Sequence, residues 1–371
     1  AKDGAETPYG DTATMNAENG WRYTWEDLPI TDSNGNEITY SVKEVGESDG
    51  KVTISGNKFA VEIEDLGKEG FIIANKKLID ISGSKTWDDN NNQDGKRPSE
   101  IKIHLFADGT ELADKVQTVT AANNWSWSFT DLPKYKDAGT EIEYTITEDA
   151  VENYTTVVDG YNVTNMHIPA TIDINGSKTW NDAKNQDGKR PDGVTLHLYK
   201  EGEGIEKAEV TDVEPTWVKT GDEWGYSYKG LPKYEGGKEL TYTITEDTVA
   251  GYTTSVRGYN VTNTHTPETI DIEGSKTWND NNNQDGKRPG SITIRLYADG
   301  RELTDKVQTV TASNGWNWKW EDLPKYANGT EITYTITEDA VENYTTVVDG
   351  YNVTNSYTPG KVDVPVTKSW N

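Results

Sequence analysis

Three side chains recur along this chain at fixed spacing: a lysine, a glutamate and an asparagine. The lysines are Lys85, Lys178 and Lys276, each inside the string GSKTW. The glutamates are Glu148, Glu246 and Glu338, each inside YTITED, and the asparagines are Asn165, Asn263 and Asn355, each closing GYNVTN. An amine, a carboxyl group and a carboxamide held together away from water can condense. A neutral amine is a nucleophile, and a carboxyl can shuttle its proton as a general acid–base. Attack on the amide carbonyl would expel ammonia and leave a Lys–Asn isopeptide bond. Holding the groups in contact makes this slow reaction effectively unimolecular.

The elements that must position them read as strands. Residues two apart in a strand share a face. Ile79, Ile81, Gly83, Lys85 and Trp87 form one stripe, apolar apart from the lysine. Ile172, Ile174, Gly176, Lys178 and Trp180 repeat it. Tyr144, Ile146 and Glu148 form a second stripe, and Tyr161, Val163 and Asn165 a third. Polar residues on apolar stripes are not what a solvent face produces. Burial of a lone ammonium or carboxylate is very costly, and two resolutions stay open on the residues alone. In one, Lys and Glu form a buried ion pair capped by the Asn amide. In the other, desolvation lowers the lysine pKa and raises that of the glutamate, which sets up the condensation.

Self-similarity dominates the chain. The lysines, with Lys368 of a closing VTKSW, are 93, 98 and 92 residues apart. Complete repeats fall at 79–168, 169–266 and 267–358. Residues 1–78 read as a partial repeat lacking its first strands, with Glu44 and Asn75 in the glutamate and asparagine positions, and 359–371 as the first strand of a further repeat. Turn signals every 8–12 residues and β-branched, aromatic alternation give about seven strands per repeat, the pattern of a β-sandwich. Pro169, Pro267 and Pro359 mark short junctions, which favour a stiff rod.

With SKTWDDNNNQDGKRP, LPKY, YTITED and NVTNTHTP in fixed order over essentially the whole chain, the sequence resembles the Cna B-type (collagen-adhesin B-repeat) domains of Gram-positive surface proteins. The resemblance implies an all-β fold of tandem reversed immunoglobulin-like (transthyretin-like) sandwiches. It also implies a Lys–Asn bond between first and last strands, catalysed by a glutamate. Carried over by position, the sets are Lys85, Glu148 and Asn165; Lys178, Glu246 and Asn263; and Lys276, Glu338 and Asn355. The implied setting is the bacterial cell surface, outside the cell, with cell-wall anchoring through a region beyond this fragment. No stretch reads as a signal peptide or sorting motif, so such signals are expected elsewhere.

Composition narrows the alternatives. The chain has 371 residues, 63 acidic against 36 basic side chains, and a net charge of −27. That opposes binding to nucleic acid or to an anionic membrane. No segment approaches the ~20 apolar residues of a membrane span. There is no Cys, while 13 Trp and 20 Tyr can carry a core short of aliphatics. Asn90, Asn92 and Asp94 before Gly95 resemble the start of a calcium loop, but Ile101 holds the position of the twelfth ligand and Ala183 replaces the first in the next repeat. A structural turn is therefore expected. Trp125, Trp127, Trp316, Trp318 and Trp320 read as core faces rather than glycan-stacking platforms. His104, His167, His197 and His265 are too scattered for a metal site, and no cofactor is expected.

The expected function is a non-enzymatic structural stalk of a surface adhesin, with each bond a single autocatalytic event. One rival is a module gripping a host extracellular-matrix protein or glycan. Another is a covalent fibre in which Lys368 of one copy joins Glu44 and Asn75 of the next, head to tail. A simple piece of a longer array is preferred to that fibre, because a joined unit would lack a strand.

Overall fold

A computed structural model describes residues 8–136 and 139–370. Residues 1–7 and Asn371, the outermost parts of the expected terminal segments, lie outside the described residues. Regular structure among the described residues consists of β-strands and short 3-10 turns, and no helix there is long and apolar enough to cross a membrane. The chain divides into two compact units, 1–168 and 169–371.

In the first unit, β1 (Lys51–Ile54), β2 (Asn57–Asp65) and β3 (Phe71–Asp88) form an antiparallel run. The 18-residue β3 serves two repeats. Its first half pairs with β2, and from Leu78 onward it pairs with β6 (Ser126–Pro133). The next repeat adds β4 (Glu100–Ala107), β5 (Thr110–Thr120), β7 (Tyr144–Glu148), β8 (Thr155–Asp159) and β9 (Asn162–Met166). One sheet runs β6-β3-β9-β8 and the other β5-β4-β7. Ile81, Ile103, Leu105, Val119, Trp127, Phe129, Ile146 and Val163 pack in the core. Residues 8–50 hold only isolated bridges, such as Thr31↔Glu37.

The pairing of β3 with β9 is parallel: Lys85 lies opposite Val163 and Trp87 opposite Asn165. First and last strands of a repeat are therefore neighbours running in one direction. Glycine permits this approach. A Cβ on Gly83 would stand 1.7 Å from the Tyr161 carbonyl oxygen and 2.7 Å from the Trp127 ring; the same holds for Gly176 at Tyr259 (2.1 Å) and Gly274 at Tyr351 (1.8 Å). Asn162 then fixes the register. Its Oδ1 accepts the Ser84 N–H at 3.0 Å and the Ser84 hydroxyl at 3.1 Å. Asn260 does this for Ser177, and Asn352 for Ser275.

The second unit repeats the plan twice. Strand Thr171–Asn181 lies between Glu223–Pro232 and the parallel Asn260–Thr264, with Lys178 opposite Val261 and Trp180 opposite Asn263. An added strand, Thr216–Thr220, widens that sheet to five. In the last repeat, Thr269–Asn279 pairs with Asn317–Pro324 and, in parallel, with Asn352–Ser356. The glutamates lie on the opposing sheets: Glu246 ends Lys238–Glu246, and Glu338 ends Tyr334–Glu338. Residues 359–370, expected as a strand, pair with no sheet; Val362, Val364, Val366 and Trp370 are exposed. An alternating stripe becomes a strand only when it has neighbours to bond and a core to cover.

The glycine contact gives a direct test. Gly274→Ala has to push the parallel strands apart, so it should lower the stability of its repeat by about 3 kcal/mol, the upper range for overpacking. Thermal unfolding followed by tryptophan fluorescence measures this.

Candidate functional site

Each site is assembled by three strands of one sheet and one strand of the other. Lys85 comes from β3, Asn165 from β9 and Glu148 from the end of β7 across the core. Lys85 Nζ lies 3.0 Å from Glu148 Oε1, and both side chains are wholly buried. Lys178 lies 3.3 Å from Glu246, and Lys276 lies 2.6 Å from Glu338, again with no exposure. Lys276 donates a hydrogen bond to its glutamate, whereas Lys85 and Lys178 meet theirs off the hydrogen-bonding direction. Asn165, Asn263 and Asn355 are fully buried on the same core face.

Two features of this environment bear on chemistry. Burial pushes the pKa of Lys85, Lys178 and Lys276 down, against the opposing pull of the glutamate. A tryptophan two residues on walls off each amine: the ring centroids of Trp87, Trp180 and Trp278 lie 4.6, 3.8 and 4.7 Å from the respective Nζ. The asparagine amides are the second feature. Both Nδ2 and Oδ1 of Asn165, Asn263 and Asn355 are buried without a hydrogen-bond partner among the described residues. Such atoms are rare in folded proteins, and each costs about 1–3 kcal/mol.

A threonine absent from the sequence reading completes the site. Thr156 Oγ1 donates to Glu148 Oε2 at 3.0 Å, Thr254 to Glu246 at 3.1 Å and Thr346 to Glu338 at 3.0 Å. Each threonine lies directly opposite the asparagine of its own site across an antiparallel pair. The signal was the YTT string in each of the three complete repeats, hidden by the exposure of the strand carrying it.

The other candidates sit apart from these pockets. Glu44 Oε1 accepts a hydrogen bond from Asn75 Nδ2 at 3.1 Å at an exposed position. Lys368 Nζ lies 3.5 Å from the Trp370 ring centroid in the unpaired terminal segment. The Asn-rich loop uses its oxygens internally. Asn90 bonds Gln93, Asn92 Oδ1 accepts the Arg97 N–H at 2.9 Å, and Asp94 faces His167 at 3.0 Å. Buried Asp89 holds the loop: it accepts Arg97 Nε and Nη2 at 3.0 and 2.6 Å, the Asn92 N–H at 2.8 Å and the Tyr154 hydroxyl at 2.8 Å. Asp182 and Asp280 repeat the arrangement with Arg190 and Arg288. His104 bridges Glu111 and Asp149, His197 bridges Glu209 and Asp247, and Arg295 takes the same place in the last repeat. Trp127, Trp318 and Trp320 are buried in the cores, with Trp125 and Trp316 packed against them. Among the described residues, no group of three His, Asp or Glu side chains could hold a metal.

The fold and site define a class: tandem two-sheet β-sandwiches, each with an amine, a carboxyl and a carboxamide sealed in its core between first and last strands. The chain belongs to the Cna protein B-type domain family, which it matches at residues 1–76, 81–166, 174–264 and 272–356. It is 40% identical over 376 residues to a collagen adhesin of Staphylococcus aureus, covering 98% of this chain and 30% of the relative. The chain thus spans less than a third of that collagen adhesin. Among solved structures, two B repeat units of the S. aureus collagen binding protein are 37% identical, covering 94% of this chain and 91% of the other, with a TM-score of 0.44. A single B repeat unit of the same protein is 30% identical over 76% of this chain and 100% of the other, with a TM-score of 0.23.

The buried aspartate yields an acid-limb prediction. Hydrogen bonds from Arg288 hold the Asp280 pKa down at about 2, against 3.8 for a free carboxyl. The unfolded chain therefore binds this proton first. The stability from Asp280 is complete above about pH 4 and is lost as the pH falls to about 2. Asp280→Asn should lower neutral-pH stability by about 2 kcal/mol and flatten the loss between pH 4 and 2, read from urea unfolding of the last repeat.

Proposed function

We propose that these repeats form the load-bearing stalk of a Gram-positive surface adhesin, each complete repeat locked by a self-made Lys–Asn isopeptide bond. The observation that carries the reading is the unpartnered, fully buried carboxamide of Asn165, Asn263 and Asn355, beside a desolvated amine and a carboxyl. An ion pair alone leaves that amide a penalty without a purpose. As a reactant it needs a free carbonyl and a free leaving nitrogen.

The steps follow from the contacts. A proton moves from Lys85 Nζ to Glu148 within the pair, which leaves a neutral amine and a carboxylic acid. Nζ attacks Asn165 Cγ while the acid protonates the carboxamide. The Cγ–Nδ2 bond breaks, the proton shed by Nζ reaches Nδ2 through the glutamate, and ammonia departs. As the carbonyl re-forms its proton returns to the glutamate, and ammonia then takes that proton away as ammonium, so the glutamate ends as the carboxylate it began; the site is consumed, so each repeat reacts once and the chain is not an enzyme.

Placement of the bond suits a stalk. Parallel first and last strands pulled from their outer ends are loaded in shear, not peeled as an antiparallel edge would be. With Lys85 joined to Asn165, tension passes through the side chains and bypasses residues 86–164. Near-identical repeats serve as spacers, with recognition of a matrix partner assigned to other parts of the whole protein. Saturable binding of one repeat to a matrix protein in a solid-phase assay would overturn that division of labour.

Intact mass tests the bonds. Three of them should lower the mass by about 51 Da, about 17 Da for each ammonia, whereas the unmodified mass would sink the proposal. Glu148→Ala should restore about 17 Da and make its repeat the first to yield to heat or protease.

A further inference from the structure

We infer that Thr156, Thr254 and Thr346 are positioning residues that decide which oxygen of the catalytic glutamate carries the working proton. The inference rests on the condensation proposed above and concerns a residue that the lysine, glutamate and asparagine set does not include.

A carboxyl has two oxygens, and its terminal torsion is broad and nearly two-fold. Without a constraint the two exchange roles. In every complete repeat one oxygen, Oε1, faces the lysine Nζ. The other, Oε2, accepts the threonine hydroxyl at 3.0–3.1 Å. A hydroxyl that donates to Oε2 makes Oε2 the acceptor of the acid form. The acid proton then belongs to Oε1, where Nζ delivers it and where it must reach the carboxamide.

Strand pairing supplies the precision. Thr156 stands opposite Asn165 across β8 and β9, and Trp87 stands opposite Asn165 on its other side. Threonine, asparagine and tryptophan thus form one row across three strands, and Lys85 is two residues back on the tryptophan strand. The hydroxyl is tied by backbone register to the amide whose partner it orients. Two further copies carry the same row: Thr254, Asn263 and Trp180, then Thr346, Asn355 and Trp278.

Thr156 lies on an exposed edge strand, so substitution there can be tested without breaking the core. The whole chain is made in a short cell-free synthesis pulse, and ammonia loss is followed by intact mass at several pH values. Peptide mapping reports the Lys85–Asn165 cross-link itself. Thr156→Val should slow that bond by roughly 10- to 100-fold, the effect of a misaimed reacting group. Early samples would then be about 34 Da light instead of about 51 Da. Its rate–pH profile should differ from that of the wild type, and Thr156→Ser, which keeps the hydroxyl, should restore both rate and profile. Near-UV circular dichroism matching the wild type establishes that the valine variant is folded. Wild-type rate and pH profile in Thr156→Val, or serine no better than valine, would overturn the threonine's role. A wild-type chain with no mass deficit would instead overturn the condensation.

Discussion

The parallel pairing of first and last strands is the constraint on which the rest of each repeat depends. Parallel neighbours cannot be joined by a hairpin, so the whole sandwich is the crossover between them. That arrangement brings residues some eighty positions apart, Lys85 and Asn165, onto adjacent strands and one face. It also demands a glycine where the backbones close in, at Gly83, Gly176 and Gly274. The Ser84–Asn162 clip holds the register, because a slip of one residue would turn the asparagine out of the core. Motif residues with no chemistry of their own are explained by what this pair of strands needs.

Burial then sets the electrostatics. A lysine and a glutamate in a dry core gain from each other but lose their hydration, and such pairs are weak sources of stability. Here the carboxamide beside them is buried and unpartnered as well. Three copies of the same uncompensated arrangement in one chain point to a purpose other than noncovalent stability. The neighbouring Asp89–Arg97–Tyr154 cluster makes the contrast. There the carboxylate accepts four hydrogen bonds and the polar groups are matched, as a structural network requires.

Much of this was legible in the sequence, because a period of two converts directly into a face. The stripes Ile81–Gly83–Lys85 and Tyr144–Ile146–Glu148 placed their polar members inward before any coordinates, and tryptophans at the same spacing read as core. What was not legible is non-local or depends on atoms. Strand direction is a property of topology, so a period of two gives the faces of the first and last strands but not that they pair in parallel. Thr156 sits in an exposed Thr-Thr pair and reads as solvent-facing; only the meeting of β8 with the end of β7 gives its hydroxyl a partner. Asp89 sits in a loop so acidic that a solvated or cation-binding reading competes, until Arg97 folds back onto it. Residues 359–370 carry the right alternation for a strand and lack only neighbours.

The same contacts bear on where a linked chain can still stretch. With the proposed cross-links in place, the backbone left extensible between the two repeats of the second unit would be the stretch from Asn263 to Lys276, thirteen positions on. Asn165 to Lys178 is also thirteen. The second-unit stretch is itself pinned. Asp187 Oδ2, almost wholly buried, meets His265 Nε2 at 2.9 Å and accepts the Glu268 N–H at 2.8 Å. The Glu268 carboxylate bridges Lys189 at 2.8 Å and Lys325 at 3.1 Å, one lysine from each flanking repeat. Exposed ion pairs of this kind contribute little singly, but they act on a junction too short to reel out far. A residue of the Asn-rich loop, Asp187, thus pins the junction by hydrogen bonds that can re-form, where the cross-link we propose would hold each repeat by a bond formed only once.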